Sequence, residues 1–194
     1  MDAMDGLDVT ACERCPDLCA SRSRIVNGVG PADADLLFVG EAPGEQEDRE
    51  GEPFVGRSGA VLDDALREHG LARADVRITN CVRCRPPDNR DPTGEELENC
   101  RRYLDAEIER VDPALVVTLG KVPAEHLLGR SVAITGEAGE IVTATIAGGK
   151  RDVLLSVHPA ATLYDPGQRE TFERAIERAA TVAGSGDQTT FGAF

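Results

Sequence analysis

Short apolar runs alternate along this chain with longer segments in which apolar residues recur at helical spacing. Four runs have the length and composition of buried strands, and they span residues 34–40, 75–80, 114–120 and 152–159. Four other segments predict helices, namely residues 58–70, 93–111, 122–129 and 170–184. Strands that alternate with helices indicate a parallel sheet covered on both faces. We therefore expect an α/β fold, a three-layer α/β/α sandwich around a mainly four-stranded parallel sheet.

Local signals refine these boundaries. Gly70 is a natural helix stop, and Thr93 with Glu96 has the spacing of a capping box. The prolines of residues 81–92 predict an irregular loop, and residues 131–150 have the composition of a β-rich excursion.

The two ends of the chain differ in composition from the sheet segments. Residues 1–24 carry three cysteines and little periodicity, which predicts a small N-terminal lobe. We expect one catalytic domain over residues 1–184 and a flexible tail over residues 185–194.

The carboxyl ends of the predicted strands carry polar and Gly-rich segments. In open α/β sheets, ligands bind at these ends. Here the ends are residues 40–44, Asn80 and His158. We expect these three segments to converge on one crevice.

The composition limits where in the cell the protein is expected and what it is expected to bind. The chain has no apolar run of membrane-spanning length and no basic-then-apolar leader, so we expect a cytoplasmic protein that makes no membrane contact. Its 35 acidic and 21 basic residues give a net charge of −14, and Lys121 and Lys150 are the only lysines. An acidic, lysine-poor surface is typical of salt-adapted proteins. The alternative is a protein that avoids nucleic acid, since this charge repels phosphates.

Three segments carry a family resemblance. Residues 40–66 (GEAPGEQEDREGEPFVGRSGAVLDDAL), 78–92 (ITNCVRCRPPDNRDP) and 158–166 (HPAATLYDP) resemble the three signatures of family 4, iron–sulfur uracil-DNA glycosylases. The resemblance covers roughly residues 12 to 180, in the family's order. It implies an enzyme that acts on uracil-containing DNA, hydrolyses the N-glycosidic bond, and releases free uracil to leave an abasic site.

Six cysteines without a secretory signal favour metal or cluster ligation over disulfides. Cys12 and Cys15 form a chelating pair, and the resemblance implies a [4Fe–4S] cluster held by Cys12, Cys15, Cys84 and Cys100. Zinc is the alternative on chemistry alone, because four thiolates suit both. Cys19 is a competing ligand, whereas Cys81 is most simply a buried apolar residue.

The resemblance also implies the residues of a uracil pocket. Asn80 reads the base edge, since its amide can donate to O4 and accept from N3–H. Phe54 stacks on the extruded base, and His158 donates a hydrogen bond to O2 as negative charge develops there. Taken singly, Asn80 could instead be a turn residue, and Phe54 and His158 could be core residues.

The loop Gly40, Glu41, Ala42, Pro43 and Gly44 faces the sugar and the base in this interpretation. Glu41 is the candidate for orienting the attacking water and stabilising positive charge on the sugar. Asp48 is a second candidate for that role. Glu45 and Glu47 have the character of solvated residues.

Contacts with the DNA strand are expected from two regions. Leu163 is the candidate apolar wedge that fills the gap left by the flipped nucleotide, and Tyr164 stands where family members often carry a basic residue, which favours stacking. Arg57, Arg83, Arg85 and Arg90 form the candidate basic face. Surface salt bridging is the alternative, above all for Arg90, which lies near Asp88 and Asp91.

Two rival functions remain open. One branch of the superfamily cross-links to DNA through a basic, His-containing insertion that residues 84–96 lack, and an iron–sulfur electron carrier would leave the three motifs unexplained. We expect a monomer. Residues 188–194 resemble, in part, peptides that dock on a sliding clamp; alternatively Phe191 and Phe194 fold back onto the domain.

Overall fold

The computed structural model describes residues 2–186. Its strands are β1 (Ala3–Asp5), β2 (Asp8–Ala11), β3 (Leu36–Gly40), β4 (Arg77–Asn80), β5 (Leu115–Leu119), β6 (Ile141–Ile146) and β7 (Gly149–Ser156). Its helices are α1 (Pro16–Ser21), α2 (Glu45–Glu50), α3 (Arg57–Glu68), α4 (Gly94–Val111), α5 (Lys121–Leu128), α6 (Ile134–Glu137) and α7 (Pro166–Gly186). Short 3-10 turns occur at Arg73–Asp75, Pro87–Asn89 and Pro159–Leu163. The last helix begins earlier than the sequence pattern predicted.

The central sheet has five strands in the order β4-β3-β5-β7-β6. The first four are parallel, which confirms the four parallel strands that the apolar runs predicted. The fifth strand, β6, pairs antiparallel with β7 and arises from the β-rich excursion of residues 131–150. The carboxyl ends of β3 and β4 are level, because Gly40 pairs with Asn80.

Helices cover both faces of the sheet. On one face, α3 and α7 bury residues such as Leu62, Leu66, Phe172 and Ile176 against Phe38. On the other, α4 and α5 bury Leu104, Ile108 and Leu127 against inward residues of the same strands. Burial of these side chains supplies the main stabilisation of the fold. The three-layer α/β/α prediction is therefore confirmed.

The helix of residues 94–111 begins as its sequence predicts. The Thr93 side chain accepts a hydrogen bond from the Glu96 N–H at 3.2 Å, and a Glu96 carboxylate oxygen accepts one from the Thr93 N–H at 2.7 Å. This capping box fixes the position of Glu96 at the end of the loop that follows β4.

The N-terminal segment forms a small lobe around the β1–β2 hairpin and α1. Val9 and Leu18 of the lobe pack with Val82, Cys84, Cys100 and Tyr103 into a separate apolar cluster. Asn27 joins the hairpin to the rest of the chain, since its side-chain oxygen accepts from the Val9 N–H at 2.8 Å. The lobe is thereby fixed beside the loop after β4.

Arg83 lies inside the protein, which corrects its assignment to the DNA-facing surface. Only 2% of the residue is exposed. Its guanidinium donates to Glu107 at 2.7 Å and to the Asn27 side chain at 2.8 Å. Arg77 donates to the other oxygen of Glu107 at 2.7 Å. The buried Glu107 carboxylate needs such partners. Arg83 therefore stabilises the interior of the protein and cannot reach a phosphate.

Two expectations concern other parts of the chain. None of the helices described is long and apolar enough to cross a membrane. The clamp-like residues 188–194 and nearly all of the predicted tail lie outside the described residues.

Candidate active site

A cavity of about 230 Å³ opens at the carboxyl ends of the parallel strands. The residues that the sequence singled out and that line it are Glu41, Ala42, Pro43, Gly44, Phe54, Asn80 and His158. They come from the loop after β3, the loop before α3, the end of β4 and the residues after β7. The structure thus brings together the three strand ends that were expected to converge.

Gly40 forms the floor beneath two of these side chains. A methyl group added at its Cα would lie 2.4 Å from Asn80 Oδ1 and 2.5 Å from ring carbons of Phe54. The absence of a side chain at Gly40 therefore allows the amide and the ring to approach the strand. Asn80 is buried, with 4% of the residue exposed, and its amide reaches the cavity from the last position of β4.

Phe54 is held in a constrained conformation. Its φ of 54° lies in the left-handed region, which costs a non-glycine residue free energy and often marks a functional position. Arg73 binds the backbone of this turn, since its Nη1 donates to the Phe54 carbonyl at 3.1 Å and to Asp63 at 2.9 Å. Gly59 packs against the same carbonyl without room for a Cβ. The Phe54 ring is consequently fixed, with its centroid 5.9 Å from that of His158.

His158 is positioned as a neutral donor. The Ala160 N–H donates to His158 Nδ1 at 3.1 Å, so the proton of the neutral ring is on Nε2. Burial lowers the pKa of His158, although the nearby Glu47 carboxylate acts in the opposite direction. At neutral pH the imidazole therefore offers Nε2–H without a net charge.

Glu47 binds the two loops of the cavity together. One carboxylate oxygen accepts from the Gly44 N–H at 3.1 Å, and the other accepts from Val55 and Gly56 N–H at 3.2 and 3.0 Å. The residue that looked solvated in the sequence is thus a structural link between the Pro43–Gly44 loop and the turn that carries Phe54.

Asp48 is a structural carboxylate as well, which corrects its candidacy for orienting water. It is 3% exposed and both of its oxygens accept from the Ser23 N–H at 2.9 Å. It does not line the cavity. Its role is to fasten α2 to the segment that follows α1.

Glu41 also lines the cavity and is partly buried. Burial, followed by the adjacent Asp91 side chain, raises the pKa of Glu41 to about 7. Near neutral pH this group exchanges between acid and carboxylate, which is the range in which a carboxyl can act in acid–base chemistry.

Five further lining residues were not singled out as base-site residues by sequence reasoning: Glu47, Ser58, Pro86, Asn89 and Arg90. Pro86, Asn89 and Arg90 belong to the second signature and follow the carboxyl end of β4. Their position after a strand end could have identified them from the sequence, since ligand-binding loops in such sheets follow strand ends.

Four of the expected DNA-facing residues other than Arg83 are at least partly exposed, namely Arg57, Arg85, Leu163 and Tyr164. Leu163 and Tyr164 end the Pro159–Leu163 turn, with 38% and 78% of their surfaces exposed. Arg57 is exposed at the start of α3. Arg85 is partly exposed, and its Nε donates to Asn89 Oδ1 at 2.8 Å. Large apolar side chains this exposed favour a binding role.

A second, smaller cavity of about 20 Å³ lies between the N-terminal lobe and α4. The four predicted ligands Cys12, Cys15, Cys84 and Cys100 line it, together with Cys19. Cys19 Sγ donates to the Cys12 carbonyl at 3.6 Å. Cys81 is buried in the core between the sheet and α4, which confirms its interpretation as an apolar residue.

Donors surround these thiols. Arg22 Nη1 donates to Cys84 Sγ at 2.8 Å and Nη2 to the Cys12 carbonyl at 2.7 Å, while Asn99 donates to Cys15 Sγ at 3.7 Å. Burial raises the pKa of Cys84 to about 11 and of Cys100 to about 12. Within residues 2–186, no three His, Cys, Asp or Glu side chains already have the arrangement of a complete metal site, although the four cysteines line one cavity. As a donor set, four convergent cysteines among N–H donors fit a thiolate-ligated cluster.

The chain is similar to known proteins over most of its length. The family described as "Uracil DNA glycosylase superfamily" matches residues 27–180. The chain is 39% identical to a type-4 uracil-DNA glycosylase of Archaeoglobus fulgidus over 98% of both chains. It is 44% identical to a type-4 enzyme of Thermotoga maritima over 80% of this chain and 79% of the relative. It is 32% identical to a type-5 uracil-DNA glycosylase of Pyrobaculum aerophilum over 89% of both chains.

Proposed function

The chain belongs to the uracil-DNA glycosylase superfamily and excises uracil from DNA, and we propose that it does so as a type-4, iron–sulfur enzyme. The observation that carries the iron–sulfur proposal is the convergence of the four predicted cysteine ligands on one small cavity. The cavity that brings Asn80, Phe54 and His158 together at the strand ends supports uracil excision. The reaction is hydrolysis of the bond between C1′ of deoxyribose and N1 of uracil. It releases the free base and leaves an abasic site.

Asn80 selects uracil in this proposal. Its amide N–H donates to O4 and its carbonyl accepts from N3–H. Cytosine presents the opposite pattern at these two positions, so its binding would leave buried polar groups unpaired. The burial of Asn80 supports this role, because discrimination by an unpaired group requires that water be excluded.

Phe54 supplies the surface on which the extruded base stacks. A base that has left the duplex loses its neighbours, and an aromatic ring replaces part of that stacking. The rigid turn held by Arg73 and Gly59 supports the role, since a preorganised ring loses little entropy when the base binds.

His158 assists departure of the base. Cleavage of the C1′–N1 bond leaves negative charge on uracil, shared between O2 and O4. The Nε2–H of His158 donates to O2 and stabilises this charge as it develops, as an oxyanion donor does. The hydrogen bond from Ala160 to Nδ1 supports the assignment because it orients the donor nitrogen.

Glu41 acts on the sugar side, together with the backbone of Gly40, Ala42, Pro43 and Gly44 that lines the sugar and base. Its carboxylate form stabilises the positive charge that builds up on the deoxyribose and orients the attacking water. The raised pKa of Glu41 supports a role that depends on its ionisation state.

The DNA strand binds across the exposed rim of the cavity. Leu163 inserts into the space left by the flipped nucleotide, and Tyr164 stacks beside it. Arg57 and Arg85 contribute positive charge to this face of an otherwise acidic molecule. Arg83 is not part of it.

We assign a [4Fe–4S] cluster to Cys12, Cys15, Cys84 and Cys100. When bound, the cluster supplies a covalent link between the N-terminal lobe and the loop before α4, and its role is structural. Iron and sulfide analysis of purified protein, with Cys84→Ala beside Cys81→Ala, tests the ligands. Cluster loss is expected only in Cys84→Ala. Stoichiometric zinc in colourless, fully active protein would overturn the assignment, and cluster loss in Cys19→Ala would make Cys19 a ligand.

The decisive experiment for function is incubation with uracil-containing single-stranded DNA. We expect free uracil and an abasic product. A denaturation-resistant protein–DNA adduct would instead indicate the cross-linking branch, and neither product would favour an electron carrier. Lys121 and Lys150 do not line the cavity, so the abasic strand is expected to remain uncut.

Four further proposals concern the oligomeric state, the location, the salt adaptation and a partner of the enzyme. It acts as a monomer in the cytoplasm of a salt-adapted organism, and excision is expected to persist at molar salt with a shallow salt dependence of binding. A steep loss of binding at moderate salt would contradict salt adaptation. Residues 188–194 dock on a sliding clamp, and a chain ending at Asp187 should lose clamp binding while retaining intrinsic activity.

A further inference from the structure

Arg90 is the one arginine or lysine that lines the cavity within the described residues. It follows Asp88 and Asn89, whose φ angles of 52° and 53° both lie in the left-handed region. Two consecutive non-glycine residues in this region are uncommon and cost free energy. The consequence of the bend is that Asn89 and Arg90 both contact the cavity where base and sugar would bind.

The guanidinium of Arg90 is fixed at one edge. Nη1 and Nη2 donate to the two carboxylate oxygens of Glu96 at 2.8 and 2.7 Å, and Nη1 also donates to the Asp91 carbonyl at 2.9 Å. Glu96 is 6% exposed and is itself held by the Thr93 N–H in the capping box. Because Glu96 is buried and held in place, its two hydrogen bonds hold the Arg90 guanidinium in one position.

The other edge of the guanidinium is open. Nε makes no hydrogen bond to any described residue, and the second N–H of Nη2 has only the exposed Asp17 carboxylate nearby, at 4.0 Å. Nε and Nη2 together form the side-on pair that binds two oxygens of one oxyanion. Glu96 occupies the end-on pair, so both edges can be used at the same time.

We propose that Arg90 binds a phosphate of the DNA backbone beside the extruded nucleotide. The ligand is a phosphodiester, because it is the oxyanion of the substrate and the base pocket is already defined by Asn80, Phe54 and His158. Asn89 lies next to it, with its Oδ1 engaged by Arg85. The inference rests on the proposed function, since it requires a DNA strand in the cavity. It adds a DNA contact to the salt bridge with Glu96, which the structure shows.

This contact would position the substrate rather than take part in bond cleavage. A guanidinium held in place loses little freedom when it binds, so it can fix the nucleotide relative to His158 Nε2. It also gives the acidic molecule one local, oriented positive group where the backbone must approach. We therefore expect Arg90 to act mainly on substrate affinity.

The test combines Arg90→Gln with single methylphosphonate substitutions, which remove the charge of one phosphate, at each linkage around the deoxyuridine of a single-stranded substrate. Arg90→Gln should weaken binding about tenfold or more, as expected for loss of a charge-assisted pair. In this variant the slope of log affinity against log salt concentration should be smaller in magnitude, by about 0.7, than in the wild type. At one linkage, methylphosphonate should weaken the wild-type enzyme similarly yet leave Arg90→Gln unchanged, as for interacting groups in a double-mutant cycle.

Controls separate this contact from stability and from the function itself. Arg67→Gln removes an exposed arginine paired with Asp64 and should change neither affinity nor the linkage pattern. Arg90→Lys retains the charge but lacks the Nε and Nη2 donor pair, and it should give an intermediate affinity. It replaces Arg90→Gln in the test if Arg90→Gln unfolds. Equal methylphosphonate effects in wild type and variant at every linkage would overturn the proposal. Failure of the wild type to release uracil would instead overturn the proposed function.

Discussion

Gly40→Ala tests whether the floor of the cavity must lack a side chain. The added methyl group would be 2.4 Å from Asn80 Oδ1 and 2.5 Å from the Phe54 ring, about 1 Å short of ordinary contact. Both neighbours have to move, because β3 is central in the sheet. A displacement of about 1 Å in a catalytic group costs roughly 100-fold in rate, which corresponds to about 2.7 kcal/mol of transition-state stabilisation. Overpacking should lower the free energy of unfolding by about 1–3 kcal/mol.

The assay is release of free uracil from single-stranded DNA, with thermal unfolding measured on the same samples. Gly94→Ala is the matched control, since nothing lies within 4 Å of its added methyl group; it should retain full activity and gain slight stability from its helical position. A Gly40→Ala enzyme within twofold of wild-type kcat/KM would refute the reasoning. Equal losses of activity in both variants would also refute it, because they would point to a general effect of the substitution.

The remaining predictions concern Asn80, His158 and Glu41, which line the cavity. Asn80→Asp should weaken uracil excision and permit some excision of cytosine, because a protonated Asp offers the reversed donor pattern; unchanged uracil kinetics would remove Asn80 from the pocket. His158→Ala should lower kcat with little change in KM, by roughly 2–4 kcal/mol for a lost oxyanion donor, and a pure KM effect would argue against that role. Activity should fall as pH decreases through about 7, since the carboxylate form of Glu41 becomes protonated there. Asp91→Asn removes the adjacent negative charge and should shift this loss of activity to lower pH. If Glu41→Gln still lost activity over the same pH range, Glu41 would be excluded as its source.

The sheet was predictable because its strands are buried on both faces. Such strands read as continuous apolar runs, and the four runs became β3, β4, β5 and β7. The convergence of Gly40, Asn80 and His158 followed from their positions at the strand ends. The β6–β7 pairing was less predictable, since the antiparallel edge strand has half-exposed residues and no continuous apolar run.

The roles of the charged residues could not be predicted from spacing. Arg83 and Arg85 stand two positions apart in one irregular loop, yet Arg83 is buried against Glu107 and Arg85 reaches the rim. In a strand or helix, spacing assigns a residue to a face, but an irregular loop has no such period. The partner Glu107 lies on α4, distant in sequence, so only the tertiary structure distinguishes an internal arginine from a DNA-facing one.

The carboxylates of the cavity pose an electrostatic problem that the structure resolves locally. The leaving uracil is an anion, and Glu41 and Glu47 both line the space it occupies. Three backbone N–H groups donate to the Glu47 side chain, and in the proposed mechanism the Glu41 carboxylate faces the positive charge on the sugar. We propose that His158, whose pKa burial lowers, acts through an oriented N–H dipole without a full positive charge. On this proposal, stabilisation of the departing base depends on the geometry of a neutral donor, and the turn at Ala160 matters because its N–H orients the His158 ring.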